Sequence, residues 1–369
     1  MTIKKYKGDI LIPIISIFLA LFGIVMIYSA SSYGAELTYG DAFFYVKKQA
    51  ISFVAGVIVM LGLGFFELNK LIKFRYPILI VSLVLLALVF VPGLSVSNYG
   101  ATRWINLGFT TMQPSEVSKF GFIIYAAAEM AAHDMSKTKN VIPVFIAGGA
   151  MCALILLEPN MSITMCVGLV MIIMLFIGGM KIKALAMLAI PAAIGVVLMI
   201  VLEPYRMDRL MAFLDPWASP KDEGYQLIQS YYALGSGGLF GVGLFNSRQK
   251  YLFLPFSESD FIFSIIGEEL GLVGSAFIII LFVILVVRGA RAALRAENKF
   301  YAYLSSGIAV LIAVQTAINI AVVSGSIPPT GLPLPFMSAG GSSLLAYMAA
   351  MGIVMNISAR RNPLLPVFR

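Results

Sequence analysis

Long apolar runs, separated by short polar or glycine- and proline-rich links, dominate this chain. A helix that crosses a membrane needs roughly 20 apolar residues in a row. Ten stretches meet that length, near residues 9–30, 48–66, 75–93, 114–132, 141–158, 160–179, 183–203, 260–287, 301–323 and 338–357. The pattern predicts an all-α polytopic membrane protein of about ten transmembrane helices, a single domain over 1–369 with one long loop, about 204–259, between the seventh and eighth. Basic residues precede the first stretch as they would in a signal peptide, but its apolar core is too long for that, and it reads as an anchor.

Composition narrows the picture. The chain has 369 residues, 60% of them hydrophobic and 12% charged, with a mean hydropathy of +0.94. Soluble domains are about half apolar and a quarter charged, so a soluble enzyme is excluded. Cys152 and Cys166 lie in apolar runs, where a thiol acts as a small hydrophobe, and His133 is the one histidine. A disulfide framework, a histidine metal cluster and a Ser-His-Asp triad are thereby set aside.

Charge sets the orientation. Lys and Arg mark cytoplasmic loops, and with the N-terminus inside, most of the 26 basic residues fall on that side, including Lys70, Lys73, Arg75, Arg288, Arg291 and Arg360. Both termini are then cytoplasmic and the 204–259 loop is extracellular. Lys47 and Lys48 are the exceptions among the short loops. The net charge of +8 follows from this bias, so it gives no reason to expect a nucleic-acid partner.

Polar groups that do not belong in lipid mark function by default, and here they crowd the outer side. The third stretch is followed by Arg103-Trp104-Ile105 and then by Gln113-Pro114-Ser115-Glu116, with Lys119 one turn on. Glu116 and Lys119 share a helix face; they either form an ion pair that only holds helices together or line a functional cavity. Glu158, in the tight turn Glu158-Pro159-Asn160-Met161-Ser162, is either solvated or cavity-lining. The long loop carries Arg206, Arg209, Arg248 and Lys250 and a run of glycines from Gly235 to Gly243. Such glycines let backbone amides approach an anion, although a flexible turn uses the same residues. The dinucleotide pattern G-x-G-x-x-G fails, because position 240 is Phe. Gly224 to Ser230 form a partly amphipathic stretch suited to the membrane surface. Asp260 stands at the mouth of the eighth stretch, either as a helix cap or as a reactive acid. Glu268, about 12 Å deeper at 1.5 Å per residue, faces the bundle. The proline- and glycine-rich link from Ser324 to Ser343 walls a polar cleft, since irregular backbone at membrane depth needs protein or water beside it.

These segments resemble the SEDS family (shape, elongation, division and sporulation), which includes FtsW, RodA and SpoVE. The likeness spans essentially the whole chain. It is carried by Arg103-Trp104-Ile105 with Gln113-Pro114-Ser115-Glu116, by Asp215-Pro216-Trp217 through Lys250, by Asp260-Phe261-Ile262-Phe263 with Gly267-Glu268-Glu269-Leu270-Gly271, and by Thr330-Gly331-Leu332-Pro333-Leu334-Pro335-Phe336. Ser247-Arg248-Gln249-Lys250 resembles the FtsW-like division and sporulation branch more than the RodA branch. The resemblance implies a peptidoglycan glycosyltransferase of the bacterial cytoplasmic membrane that polymerises lipid II at the outer face. A class B penicillin-binding protein and other divisome or elongasome membrane proteins are the partners implied. It makes Asp260 the essential carboxylate, with Glu116, Lys119 and Trp104 in or near the same cavity. Two departures stand out: Asn160 and Ser162 replace an acid and a glycine of the family pattern, and Phe256 with Glu258-Ser259 replaces a Glu and a His-Thr.

The chemistry expected is attack by a sugar hydroxyl on a lipid-linked anomeric carbon. Asp260 takes the proton, and Arg103, Arg206, Arg209, Arg248 and Lys250 are the cations available to the leaving diphosphate. A divalent cation, Mg or Mn, held by Asp260 and diphosphate oxygens would serve the same end. Two rival classes remain on the residues alone: a lipid II flippase, and a scaffold without chemistry of its own. Transporter repeats with paired interrupted helices are not visible in the two halves.

Overall fold

The computed structural model describes residues 8–98, 101–106, 108, 111–187, 190, 195, 201 and 204–360. Helix α1 spans Leu11–Tyr39, α2 Phe44–Gly64, α3 Asn69–Lys73 and α4 Arg75–Leu88. Three short strands follow, β1 Ser95–Asn98, β2 Ala101–Asn106 and β3 Thr111–Met112. Then come α5 Pro114–Ala132, α6 Thr138–Leu157, α7 Met161–Ile177, α8 Pro204–Leu214 and α9 Tyr225–Gly237. The chain closes with α10 Ile262–Leu294, α11 Lys299–Val323 and α12 Gly341–Ala359.

Boundaries follow local chemistry. Pro114 opens α5, where its missing N–H is not needed. Asn160 and Asn298 cap α7 and α11, their side chains accepting the N–H of Ile163 at 3.3 Å and of Tyr301 at 2.9 Å. Among the described residues six helices, α1, α2, α6, α10, α11 and α12, are long and apolar enough to cross a membrane, and α4 and α7 are shorter apolar helices. Nine of the ten apolar stretches coincide with a helix; the seventh, 183–203, lies mostly outside the described residues.

The bundle core is set by α5, α11 and α12. Helix α12 packs on α2, α11 on α5, α7 and α10, and α4 on α5. Their shared interior includes Phe122, Tyr301, Phe336, Met348 and Tyr347, each buried.

One expectation is corrected. The chain is not all-α: β1, β2 and β3 form an antiparallel sheet in the order β1-β2-β3, with Val96 opposite Trp104 and Ile105 opposite Met112. These strands are too short and too polar to register against runs of 20 apolar residues, and Thr102, Trp104 and Ile105 are the β-favouring residues that form them. The stretch from Gly224 is held to the bundle by one face. As α9 it packs against α10, and the buried Ser230 hydroxyl meets Ser264 Oγ at 2.8 Å and the Val323 carbonyl at 2.7 Å.

Candidate active site

Asp260 lies in the turns just before α10, whose N-cap is Phe261 and which no side chain caps. The capping role therefore drops away. Its segment is bonded to the proline- and glycine-rich link along its length. Ser338 Oγ donates to Ser259 O at 2.6 Å, and Ala339 N to Glu258 O at 2.9 Å. Gly331, at φ +71°, sits so close that a Cβ there would lie 3.1 Å from Asp260 Oδ2; the backbone favours glycine, and a Cβ would make a tight contact with the carboxyl.

The charges around this carboxyl are mixed. Burial raises the Asp260 pKa to about 6, the Ser259 hydroxyl lowers it, Glu258 raises it, and Arg103 and Arg209 lower it. Burial likewise pushes Glu258 upward. Arg209, on α8, donates from Nη1 to Pro329 O at 3.5 Å, which anchors it to the same link.

Beneath the link lies a second cluster. Lys119 Nζ, only 1% exposed, donates to Glu116 Oε2 at 2.8 Å, Gln315 Oε1 at 2.7 Å and Tyr347 Oη at 3.1 Å. Ser343 Oγ donates to Glu116 Oε2 at 2.6 Å. The pair therefore does hold α5, α11 and α12 together, and every proton of the ammonium has an acceptor. Gln315 also donates to Pro333 O at 2.8 Å, and Asn319, one turn on, to Leu332 O at 2.7 Å and Asp260 O at 2.9 Å. Two amides of one helix face thus join the buried ion pair, the link and the Asp260 segment.

On the sheet, Arg103 and Trp104 are half-buried on opposite faces of β2. Arg103 Nε donates to Glu158 O at 3.2 Å, and Nη2 donates to Pro159 O. Glu158 is not solvated: its side chain is buried and neither carboxyl oxygen has a hydrogen-bond partner.

The long loop takes a different role from the anion cradle its glycines suggested. Gly241 and Gly237 press on the backbone of α10, where a Cβ on either would come within 2.0 Å of the carbonyls of Glu269 and Gly267. Helix α10 is kinked at Gly271, with φ 65° and ψ −165°. Glu268 accepts the amides of Arg248 at 2.9 Å and Gln249 at 3.4 Å and the Ser247 hydroxyl, and Glu269 accepts Ser247 N at 3.2 Å. The amides of Ser247, Arg248 and Gln249 are spent on the protein's own carboxylates, and those of Gly241, Val242 and Gly243 on main-chain carbonyls.

Of the residues singled out in the sequence, Asp260 feels the charges of Arg103 and Arg209, and Glu116 with Lys119 joins them through the link. Lys250 is buried with Nζ donating to Phe245 O, and Arg248 is exposed. Arg206 lies on α8 with its side chain outside the described residues. Gln315 and Asn319 were missed, although two amides four residues apart in an apolar helix are a legible signal.

A helical membrane bundle with a half-buried acid at the end of one helix, backed by an irregular link, defines the class. The chain belongs to the FtsW/RodA/SpoVE family: the family model, described as cell cycle protein, matches residues 9–363. The probable peptidoglycan glycosyltransferase FtsW of Geobacter sulfurreducens is 40% identical, over 97% of this chain and 96% of that one. Stage V sporulation protein E of Bacillus subtilis is 37% identical, over 97% and 99%. A solved chain from a peptidoglycan synthase complex, described as structural coordination of polymerization and crosslinking, matches with TM-score 0.78 and 26% identity over 95% of this chain and 98% of that one. RodA of Thermus thermophilus shares the fold, with TM-score 0.71 and 24% identity over 96% and 97%.

Proposed function

We propose that this chain is a peptidoglycan glycosyltransferase of the bacterial cell membrane, of the FtsW type that serves division, and that it polymerises lipid II at the outer face. In this reading residues 1–369 form one integral-membrane domain of ten spans, with both termini cytoplasmic and the 204–259 loop outside. The 4-hydroxyl of one lipid II sugar attacks the anomeric carbon of a second lipid-linked sugar. A new C–O bond forms there, the bond to the undecaprenyl diphosphate breaks, and the hydroxyl proton passes to Asp260.

The observation that carries this is the setting of Asp260. A general base helps by about 10²–10⁴-fold when its pKa lies near the working pH, and burial has already moved this carboxyl to about 6. Arg103 and Arg209, whose charges reach Asp260, favour the departing diphosphate; Arg206, Arg248 and Lys250 guide the lipid carrier into the cleft, and Trp104 packs beside it. Glu116 and Lys119 fix the floor rather than present a loose cation.

Among the described residues no group of three His, Cys, Asp or Glu gathers as a metal cage. Asp260 with Glu258 fits a magnesium or manganese ion that draws its other ligands from diphosphate and water, as magnesium commonly does. Such an ion would supply charge neutralisation at the leaving group. A class B penicillin-binding transpeptidase crosslinking the product, beside other divisome proteins, is the partner this reading requires.

The test is polymerisation of purified lipid II by the wild type and by Asp260→Asn, each with and without magnesium and a coexpressed transpeptidase. Asp260→Asn should make no glycan while staying folded, with a thermal midpoint no lower than the wild type's. Near-normal chain growth by the variant ends the assignment, and translocation of labelled lipid II without chain growth in vesicles favours a flippase.

A further inference from the structure

Glu158 has no part in the reaction as described, yet it closes α6 with its side chain wholly inside the protein. Neither carboxyl oxygen has a hydrogen-bond partner. An ionised carboxylate in that position is costly, so the group rests as the neutral acid. Burial raises its pKa to about 8, against the pull of Arg103.

Arg103 is what makes this acid consequential. Its guanidinium is seated on the turn that carries Glu158, bonded to the main-chain oxygens of Glu158 and Pro159 rather than to the carboxyl. The same charge acts on Asp260 across the cleft. One cation therefore stands within electrostatic reach of two carboxyls from different segments. Among the described residues Arg103 is the charged group whose field reaches Glu158. Strand β2 and the α6–α7 turn are already joined through these main-chain oxygens.

We propose that Glu158 is a positioning residue that works through Arg103: as a neutral acid it leaves the guanidinium's charge to the Asp260 cleft, and on releasing its proton to water it draws Arg103 into an ion pair and withdraws that charge. The inference rests on the glycosyltransferase reading for its effect on rate, but the switch is observable without turnover. Glu158 has to be neutral for the cleft to work, which gives activity an upper pH limit.

Two measurements test this. In lipid II polymerisation followed between about pH 6.5 and 9.5, the wild type should lose activity about tenfold per unit above the Glu158 midpoint. Glu158→Gln, permanently neutral and isosteric, should keep its neutral-pH rate within about twofold and lose the alkaline limb. A purely structural role would lower the rate at all pH values and leave the limb in place. The second measurement needs no substrate and no change at Glu158. In a Trp217→Phe chain Trp104, adjacent to Arg103, is the one tryptophan, and its emission should titrate in the same range. Arg103→Gln should abolish that transition, because the guanidinium whose movement Trp104 reports is gone. An alkaline limb that survives in Glu158→Gln, or Trp104 emission flat across the range, overturns the switch. A chain that never polymerises lipid II but shows the transition overturns the functional reading instead.

Discussion

Asn319 donates one amide to two carbonyls, that of Asp260 at 2.9 Å and that of Leu332 at 2.7 Å. The candidate base and the irregular link are thus held by a single side chain of α11. Asn319→Ala leaves two carbonyls without that donor, at a cost of about 1–3 kcal/mol. It also frees the Asp260 segment to shift, and small misplacements of a catalytic group cost far more rate than stability. The variant should therefore fold with a lowered thermal midpoint and lose at least about tenfold in glycan synthesis. A rate unchanged while the midpoint falls would remove Asn319 from the positioning of Asp260.

The pH dependence of Asp260 has a definite sign. Its pKa is raised from 3.8 to about 6, chiefly by burial, and the proposed base must be ionised. Activity should climb as pH rises through about 6 and level off above it. At pH 5 about one-tenth of the plateau rate remains. The same shift means that the folded state holds this proton more tightly than the unfolded chain, so the contribution to stability is complete below about pH 3.8 and is lost as pH rises to about 6. Rate–pH profiles and thermal scans over that window check both signs; a rate flat between pH 5 and 7 excludes Asp260 as the base.

The Lys119–Glu116 pair predicts strong coupling. Lys119→Met strands the buried Glu116, which costs about 3–5 kcal/mol, whereas replacing both charges is far milder. Lys119→Met with Glu116→Gln should recover much of the stability lost in the single variant. Thermal unfolding of the two single variants and the double variant gives the coupling directly. Additive losses would show that the ion pair is not what joins α5 to α11 and α12.

The helices were the legible part of this fold, and the α5 boundaries 114–132 coincide with the apolar stretch because Pro114 and His133 bracket it. The first helix runs on to Tyr39, nine residues past the apolar limit, because Ser31 to Tyr39 contain no proline and the single glycine among them, Gly34, does not break the helix, which ends at Gly40 with φ 66°. Asp260 and the Glu116–Lys119 spacing were visible because charge in lipid-depth sequence stands out. Their connection was not, for it runs through the amides of Gln315 and Asn319 to main-chain oxygens of a link that no periodicity describes. The glycine run stayed open between two readings for a related reason. Sequence records that a residue lacks a Cβ, but not which backbone comes close enough to need its absence.

That last point yields a paired prediction. Gly241 has φ +81°, and a Cβ there would meet the Glu269 carbonyl at 2.0 Å, while Gly235, exposed on α9, has nothing within 4 Å. Gly241→Ala combines a left-handed backbone with a backbone clash, for which about 2–5 kcal/mol is expected. The clash pushes the loop off α10, so it also disturbs Val242 N to Glu268 O and Gly243 N to Glu269 O, each at 3.0 Å. Gly235→Ala should do the opposite, gaining about 0.5–1 kcal/mol from a stiffer helix. Thermal midpoints of the two variants, purified side by side, should move in opposite directions. If the glycines served a flexible anion-binding turn instead, Gly241→Ala would leave the midpoint in place and weaken lipid II binding alone.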